Sequence, residues 1–201
     1  MTDSATHNRN ETRERLVTGA RDMIHANGVA ATALADIANA SGVPVGNIYY
    51  HFKTKGDLVD AVVGRYSSEI SNSFESLAQL DGPVERLHAL VESWAELAPN
   101  VSVHGCPHGS LCQELNKTSD ADAPNAASTL LTQPLDWIRR QFLELRRDDA
   151  AQLAVALLGS LQGVSLLANT LSDPDLMYDE ALRLKKWIAA IAATSRTAIA
   201  P

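Results

Sequence analysis

Between Ala150 and Ser172 the chain reads AAQLAVALLGSLQGVSLLANTLS, 23 residues without a single charge. A helix this apolar all round is not a surface helix; it either crosses a bilayer, for which it is long enough, or packs on more than one side. Gln152, Ser160, Gln162, Ser165, Asn169, Thr170 and Ser172 recur through it, and acidic residues flank both ends. That polar load argues against a membrane span. The better reading is a helix buried against its own domain on one face and against a partner on another.

The rest of the chain supplies helices for it to pack on. Short alternating runs bounded by turn residues are missing, whereas apolar residues at helical spacing recur. Leu16, Ala20, Met23 and Ile24 mark a helix from Arg13 to Ala26, stopped by Asn27-Gly28. Thr32 suits the N-cap of a short helix with Leu34, Ile37 and Ala38 inside, ending at Ser41-Gly42. Pro44 opens the next helix, and Thr54 with Asp57 forms a capping-box-like start for a long one to about Leu77. Further helices are predicted over 83–97, 107–116, 131–145, 149–172 and 175–195, roughly nine in all. Pro99-Asn100 to Gly105 reads as a loop, KTSDADAP as a polar connector, and Pro134 as a bend or interruption.

The opening MTDSATHNRNETRER is polar throughout and reads as a disordered arm, not a signal peptide. Two cysteines give no disulfide framework, which points to a reducing cytoplasm. The expected organisation is an arm over 1–10, a helix-turn-helix domain over 11–55 and a larger helical domain over 56–201.

Charge is unevenly divided. The chain carries a formal net charge of −7, yet residues 1–55 hold six Lys/Arg and five Asp/Glu. The acidity lies in the remaining 146 residues, so a nucleic-acid surface would have to be local and N-terminal.

The segment VPVGNIYYHFKTK, residues 43–55, fits that requirement. Two short helices joined by Ala40-Ser41-Gly42-Val43 have the helix-turn-helix form, whose second helix enters the major groove. Pro44, Val45 and Gly46 are small or short, letting the first turn approach base edges. Val45 can touch a thymine methyl and Asn47 can offer its amide to adenine. Tyr49, Tyr50 and His51 bring polar tips to phosphates, Lys53 and Lys55 add charge, and Thr32 joins the same surface. Backbone donors near Thr54 are a further phosphate-binding element. Ile48 and Phe52, four apart, read as core. A generic surface helix with two lysines would share this composition.

The spaced pattern Gly28, Thr32, Leu34, Asp36-Ile37-Ala38, Ser41-Gly42-Val43, Gly46, Ile48-Tyr49, His51-Phe52, Lys55 and Leu58 resembles the signature of the TetR family of bacterial transcriptional regulators. The resemblance covers residues 13 to about 60, with Ala35 and Gly56 as departures. It implies an all-α homodimer, usually a repressor, that binds a palindromic double-stranded DNA operator and is released by a small-molecule effector. It also implies that 149–172 and 175–195 pair with their symmetry mates as a four-helix bundle. No cofactor and no resident metal are implied.

HGCPHGSLC, residues 104–112, holds both cysteines. It admits a structural reading, a thiol-sensor reading through Cys106 at a helix start, and a metal reading through His104, Cys106, His108 and Cys112. The Gly-Cys-Pro-x-Gly-Ser-Leu run is similar to a segment of an LmrA/YxaF-like branch of the same family. That similarity favours the structural reading and implies a hydrophobic or aromatic effector. Trp94, Leu97, Cys106, Leu111, Leu115, Leu131, Trp137 and Phe142 are the ligand-lining candidates. Enzyme signatures are missing: there is no Gly-x-Ser-x-Gly, His-Glu-x-x-His, phosphate loop or dinucleotide fingerprint. A helical enzyme is the remote alternative.

Overall fold

The computed structural model describes residues 2–118 and 126–197. Among them are ten α-helices, one 3-10 turn and no strand. The chain divides into two compact units, Met1–Ser68 with Ser110–Ser128, and Glu69–Gly109 with Thr129–Pro201.

The first unit begins with α1, Thr2–Ala31. Leu16, Val17, Ala20 and Ile24 form its buried stripe, as the helical period predicts. The helix runs back to Thr2, through residues whose polar composition predicts an arm. His7, Arg9 and Asn10 are exposed there. Gly28 stops the helix, with φ 83° and ψ 163°, a conformation open essentially to glycine. Then follow α2, Leu34–Ser41, and α3, Val45–His51, joined through Gly42 in the left-handed region at φ 60°. α1 and α2 approach closely because Gly19 faces Ser41: a Cβ on Gly19 would sit 2.3 Å from Ser41 Oγ. Ile37, Ala38, Ile48, Phe52 and Leu58 fill the space between the short helices and the start of α4, Lys55–Leu77.

The α4 start is a reciprocal capping box. Asp57 N–H donates to Thr54 Oγ1 at 3.0 Å, while Asp57 Oδ2 accepts from Thr54 N–H at 3.0 Å and from Lys53 N–H at 3.0 Å. The α2 start differs from expectation. Ala33, not Thr32, is the cap residue, with its N–H donating to Asp36 Oδ2 at 3.2 Å. The Thr32 hydroxyl is turned inward and donates to Gly28 O at 2.7 Å.

The second unit contains α5, Pro83–Ala95, and α6, Ala98–His104. Helix α7, Pro107–Thr118, starts in this unit and continues into the first, where the 3-10 turn Ala126–Ser128 also belongs. Then come α8, Thr129–Glu144, α9, Ala150–Leu171, and α10, Asp175–Thr197. The core gathers Leu87, Val91, Ile138, Phe142, Leu157 and Leu184, each almost fully enclosed. Helix α6 corrects the loop expected from Pro99. That proline lies in the first turn, where its missing N–H costs nothing, and Ala98 and Val101 are buried. Pro134 likewise sits inside α8 without ending it, one turn from its start. The connector expected over 117–124 falls mostly outside the described residues.

Helix α9 buries one stripe, Ala150, Ala154, Leu157, Leu161, Ser165 and Ala168. Ser165 is held there by accepting from Trp94 Nε1 at 3.0 Å and donating to Leu161 O at 2.8 Å. The opposite side is open. Val155, Leu166, Leu171 and, on α10, Leu182 are each about 60% exposed or slightly more. By length and composition α9 is apolar enough to cross a membrane.

Candidate nucleic-acid interface

The turn into α3 is built by backbone and one arginine. Gly42 N–H donates to Asn39 O and Val43 N–H to Ala38 O, closing α2 in a left-handed cap. Arg15 on α1 donates from Nη2 to Ser41 O at 2.7 Å and Gly42 O at 3.0 Å, tying the turn to the first helix. Pro44 caps α3, and Asn47 N–H donates to Pro44 O at 2.8 Å. Ile48 and Phe52 are buried, so the orientation of α3 is fixed by two anchors four residues apart.

With that face inside, the other turns outward. Pro44, Val45, Gly46, Asn47, Tyr49, Tyr50 and Lys53 are all exposed, Tyr50 by 66%. Tyr49 and Tyr50 thus present both ring and hydroxyl to a partner, apolar body and polar tip together. Gly46 is the most telling position. A Cβ there would meet no atom of the chain within 4 Å, so the fold does not demand glycine. His51 is half-buried and packs edge-on against Tyr50 with ring centroids 5.3 Å apart. Its pKa lies below the ordinary 6.5, first because burial penalises the charged ring, then because Arg9 and Arg13 repel it.

Three sequence expectations change. Thr32, placed on this surface, is 1% exposed, with its hydroxyl committed to backbone carbonyls. Lys55 is half-buried and its ammonium donates to Val29 O, so it anchors the α1–α2 connection rather than projecting a charge. The backbone donors near Thr54 are largely occupied: the Lys53 and Thr54 N–H groups are held by Asp57, and the Asp57 N–H by Thr54.

Two residues that no local pattern singles out complete the unit. Arg15 is one; Glu114 on α7 is the other. Its carboxylate accepts from Val29 N–H at 2.9 Å and Ala30 N–H at 3.0 Å, and it occupies the space a Gly28 side chain would need. A pairing across 85 positions leaves no local signal.

The ligand-lining candidates divide between the units. Leu111 and Leu115 belong to the first; Trp94, Leu97, Cys106, Leu131, Trp137 and Phe142 belong to the second. Trp94, Trp137 and Phe142 share one hydrophobic core, whereas Leu97 is half exposed. A cleft of about 320 Å³ opens in the second unit, lined by Ser71, Phe74, Gln133, Asp136, Trp137 and Arg140. Trp137 alone of the candidates lines it, stacked on Phe74 at 4.7 Å. Cys112 is buried and its thiol donates to Ala127 O, whereas Cys106 is half-buried. Among the described residues no three His, Cys, Asp or Glu side chains converge as a metal-binding group, so His104, Cys106, His108 and Cys112 do not form one.

A helix-turn-helix with an outward polar and aromatic face is the architecture of a DNA-binding domain, and comparison with known proteins shows which family that domain matches. Residues 16–62 match the family described as bacterial regulatory proteins, tetR family. An uncharacterized HTH-type transcriptional regulator of Mycobacterium tuberculosis is 27% identical over 168 residues, covering 80% of this chain and 86% of its own. The HTH-type transcriptional repressor KstR2 of Mycolicibacterium smegmatis is 30% identical over 105 residues, 45% of this chain and 51% of its own. A crystal structure of a TetR transcriptional regulator from Chloroflexus aurantiacus superposes with a TM-score of 0.76 at 25% identity, over 91% of this chain and 96% of that one. Residues 16–62 thus carry a TetR-family DNA-binding domain, and over most of its length the chain is similar to TetR-family transcriptional regulators.

Proposed function

We propose that the protein is a cytoplasmic, ligand-responsive repressor. In this reading two copies bind a palindromic operator and a small hydrophobic or aromatic effector releases them. The observation that carries it is the outward face of α3, where Val45, Gly46, Asn47, Tyr49 and Tyr50 stand exposed on a helix anchored by Ile48 and Phe52. Such a face suits a groove lined by bases and phosphates. Asn47 and Val45 are the base-reading side chains, and Tyr49, Tyr50, His51 and Lys53 the phosphate-facing ones.

The uncovered apolar side of α9 and α10 supports the dimer. Gly159 and Gly163 lie on it, and a Cβ on either meets nothing within 4 Å, so both leave room for a second backbone to come close. The domain expected over 56–201 then serves sensing and dimerisation, with Trp94 and Trp137 the aromatic candidates for effector contact. KstR2, a relative named as a repressor, makes repression the preferred direction.

An electrophoretic shift with the protein's own upstream region tests this. Retention should weaken steeply with salt, by about 10³–10⁵-fold between roughly 50 and 200 mM if six to ten phosphates are neutralised. No retention of any fragment at low salt would overturn it.

A further inference from the structure

We infer that the N-terminal turns of α1 form a second backbone contact with DNA, in which Arg9 and Arg13 grip phosphates beyond the C-terminal end of α3. The inference rests on α3 being the groove-reading helix. Arg9 and Arg13 are four residues apart and continue, toward the N-terminus, the same helical face that carries Val17, Ala20 and Ile24. From Val17 onward that face is core. At Arg13 the core ends and the stripe becomes cationic.

The place where it ends is specific. The Arg13 guanidinium lies over the Phe52 ring, 5.0 Å from the centroid, and Phe52 is the C-cap of α3. Both arginines act on His51, the last residue of α3, and Lys53 follows one position beyond Phe52. Two guanidinium groups, an imidazole and an ammonium therefore gather at one end of the reading helix, in a chain whose net charge is −7.

Neighbouring carboxylates offset this group only in part. Glu14 is shared between Arg65 and a long, exposed ion pair of 3.9 Å with Arg13, and Asp57 is committed to the Lys53 and Thr54 backbone. Glu11 is two residues from each arginine and so points to another side of α1. A guanidinium stacked on an aromatic ring presents its N–H edge outward, the geometry that suits a phosphodiester. The ligand is the sugar–phosphate backbone, and the contact is indifferent to sequence.

Fluorescence anisotropy of the full chain on a labelled random-sequence duplex, over a salt series, tests this contact. Arg9→Gln should weaken binding several-fold and flatten the log K against log [salt] slope by about 0.9 for each phosphate released, with unchanged melting temperature. Arg13→Gln should do the same with some loss of thermal stability, since its packing on Phe52 goes as well. Lys53→Gln reports on α3 itself, and Arg139→Gln, on α8 in the other unit, reports on net charge alone. If Arg9→Gln and Arg9→Glu keep the parent affinity and slope while Lys53→Gln weakens binding, the inference fails and the α3 reading stands. Equal losses in Arg9→Gln and Arg139→Gln also overturn it, because the effect would then be general charge. A parent that binds no duplex defeats both readings.

Discussion

Gly46→Ala separates folding from DNA binding at one methyl group. Gly46 is the second residue of α3, is exposed, and has no chain atom within 4 Å of where a Cβ would be. Nothing in the folded chain resists the methyl. Alanine in a helix is favoured over glycine by about 0.5–1 kcal/mol, less in a first turn. For a chain of this length that corresponds to a rise in melting temperature of roughly 1–4 °C. On DNA the sign reverses. The methyl stands between the first turn of α3 and the base edges, and the loss of a good groove contact costs about 1–3 kcal/mol. Two reading helices in a dimer double it, so even the lower figure weakens operator binding roughly 30-fold. The assay pairs thermal unfolding with anisotropy on the retained upstream fragment. Gly64→Ala is the matched control, because its Cβ also meets nothing within 4 Å but it lies on α4. Gly46→Ala with parent affinity would refute the assignment of α3 to the groove. Loss of stability along with affinity would show instead that the fold requires the glycine.

Three further outcomes follow from the same geometry. Glu114→Ala removes two hydrogen bonds from the Gly28–Ala30 turn, each to a charged acceptor and worth about 1.5–3 kcal/mol at most; hydrogen exchange at Val29 and Ala30 should accelerate well beyond any change at Ile48. His51 has a folded pKa below 6.5, so it favours folding above that pH and the benefit fades as pH falls below it; phosphate beside the ring restores its basicity, so DNA binding should take up a proton and tighten below pH 6.5 in the parent but not in His51→Gln, as paired pH titrations of affinity and stability would show. Leu166→Glu with Leu182→Glu places charge on the open side of α9 and α10, and sedimentation should then report monomer with retained helicity.

Much of the first unit was legible because its determinants are local. Gly28, Gly42 and the Thr54–Asp57 box each act within a few residues, and Ile48 and Phe52 declare the inner face of α3 by spacing alone. What stayed hidden depends on partners far along the chain. Lys55 looks like a groove-wall cation until its ammonium is seen on Val29 O, 26 positions away. Thr32 satisfies every local rule for a cap, yet burial and the Gly28 carbonyl claim its hydroxyl. Pro99-Asn100 reads as the start of a loop, although the rule that places proline in a first turn applies to Pro99 as it does to Pro107. In the second unit the open face of α9 was foreshadowed by its lack of charge. The roles of Trp94 and Trp137 depend on packing that no periodicity encodes.

The most direct test of the central claim is methylation interference on the retained operator fragment, which probes guanine N7 in the major groove. If α3 reads DNA from a symmetric dimer, methylation should block binding at two patches related by a dyad, about one helical turn or a multiple of it apart, and Asn47→Ala should relax the pattern in both. Binding that tolerates N7 methylation throughout the fragment would contradict the account.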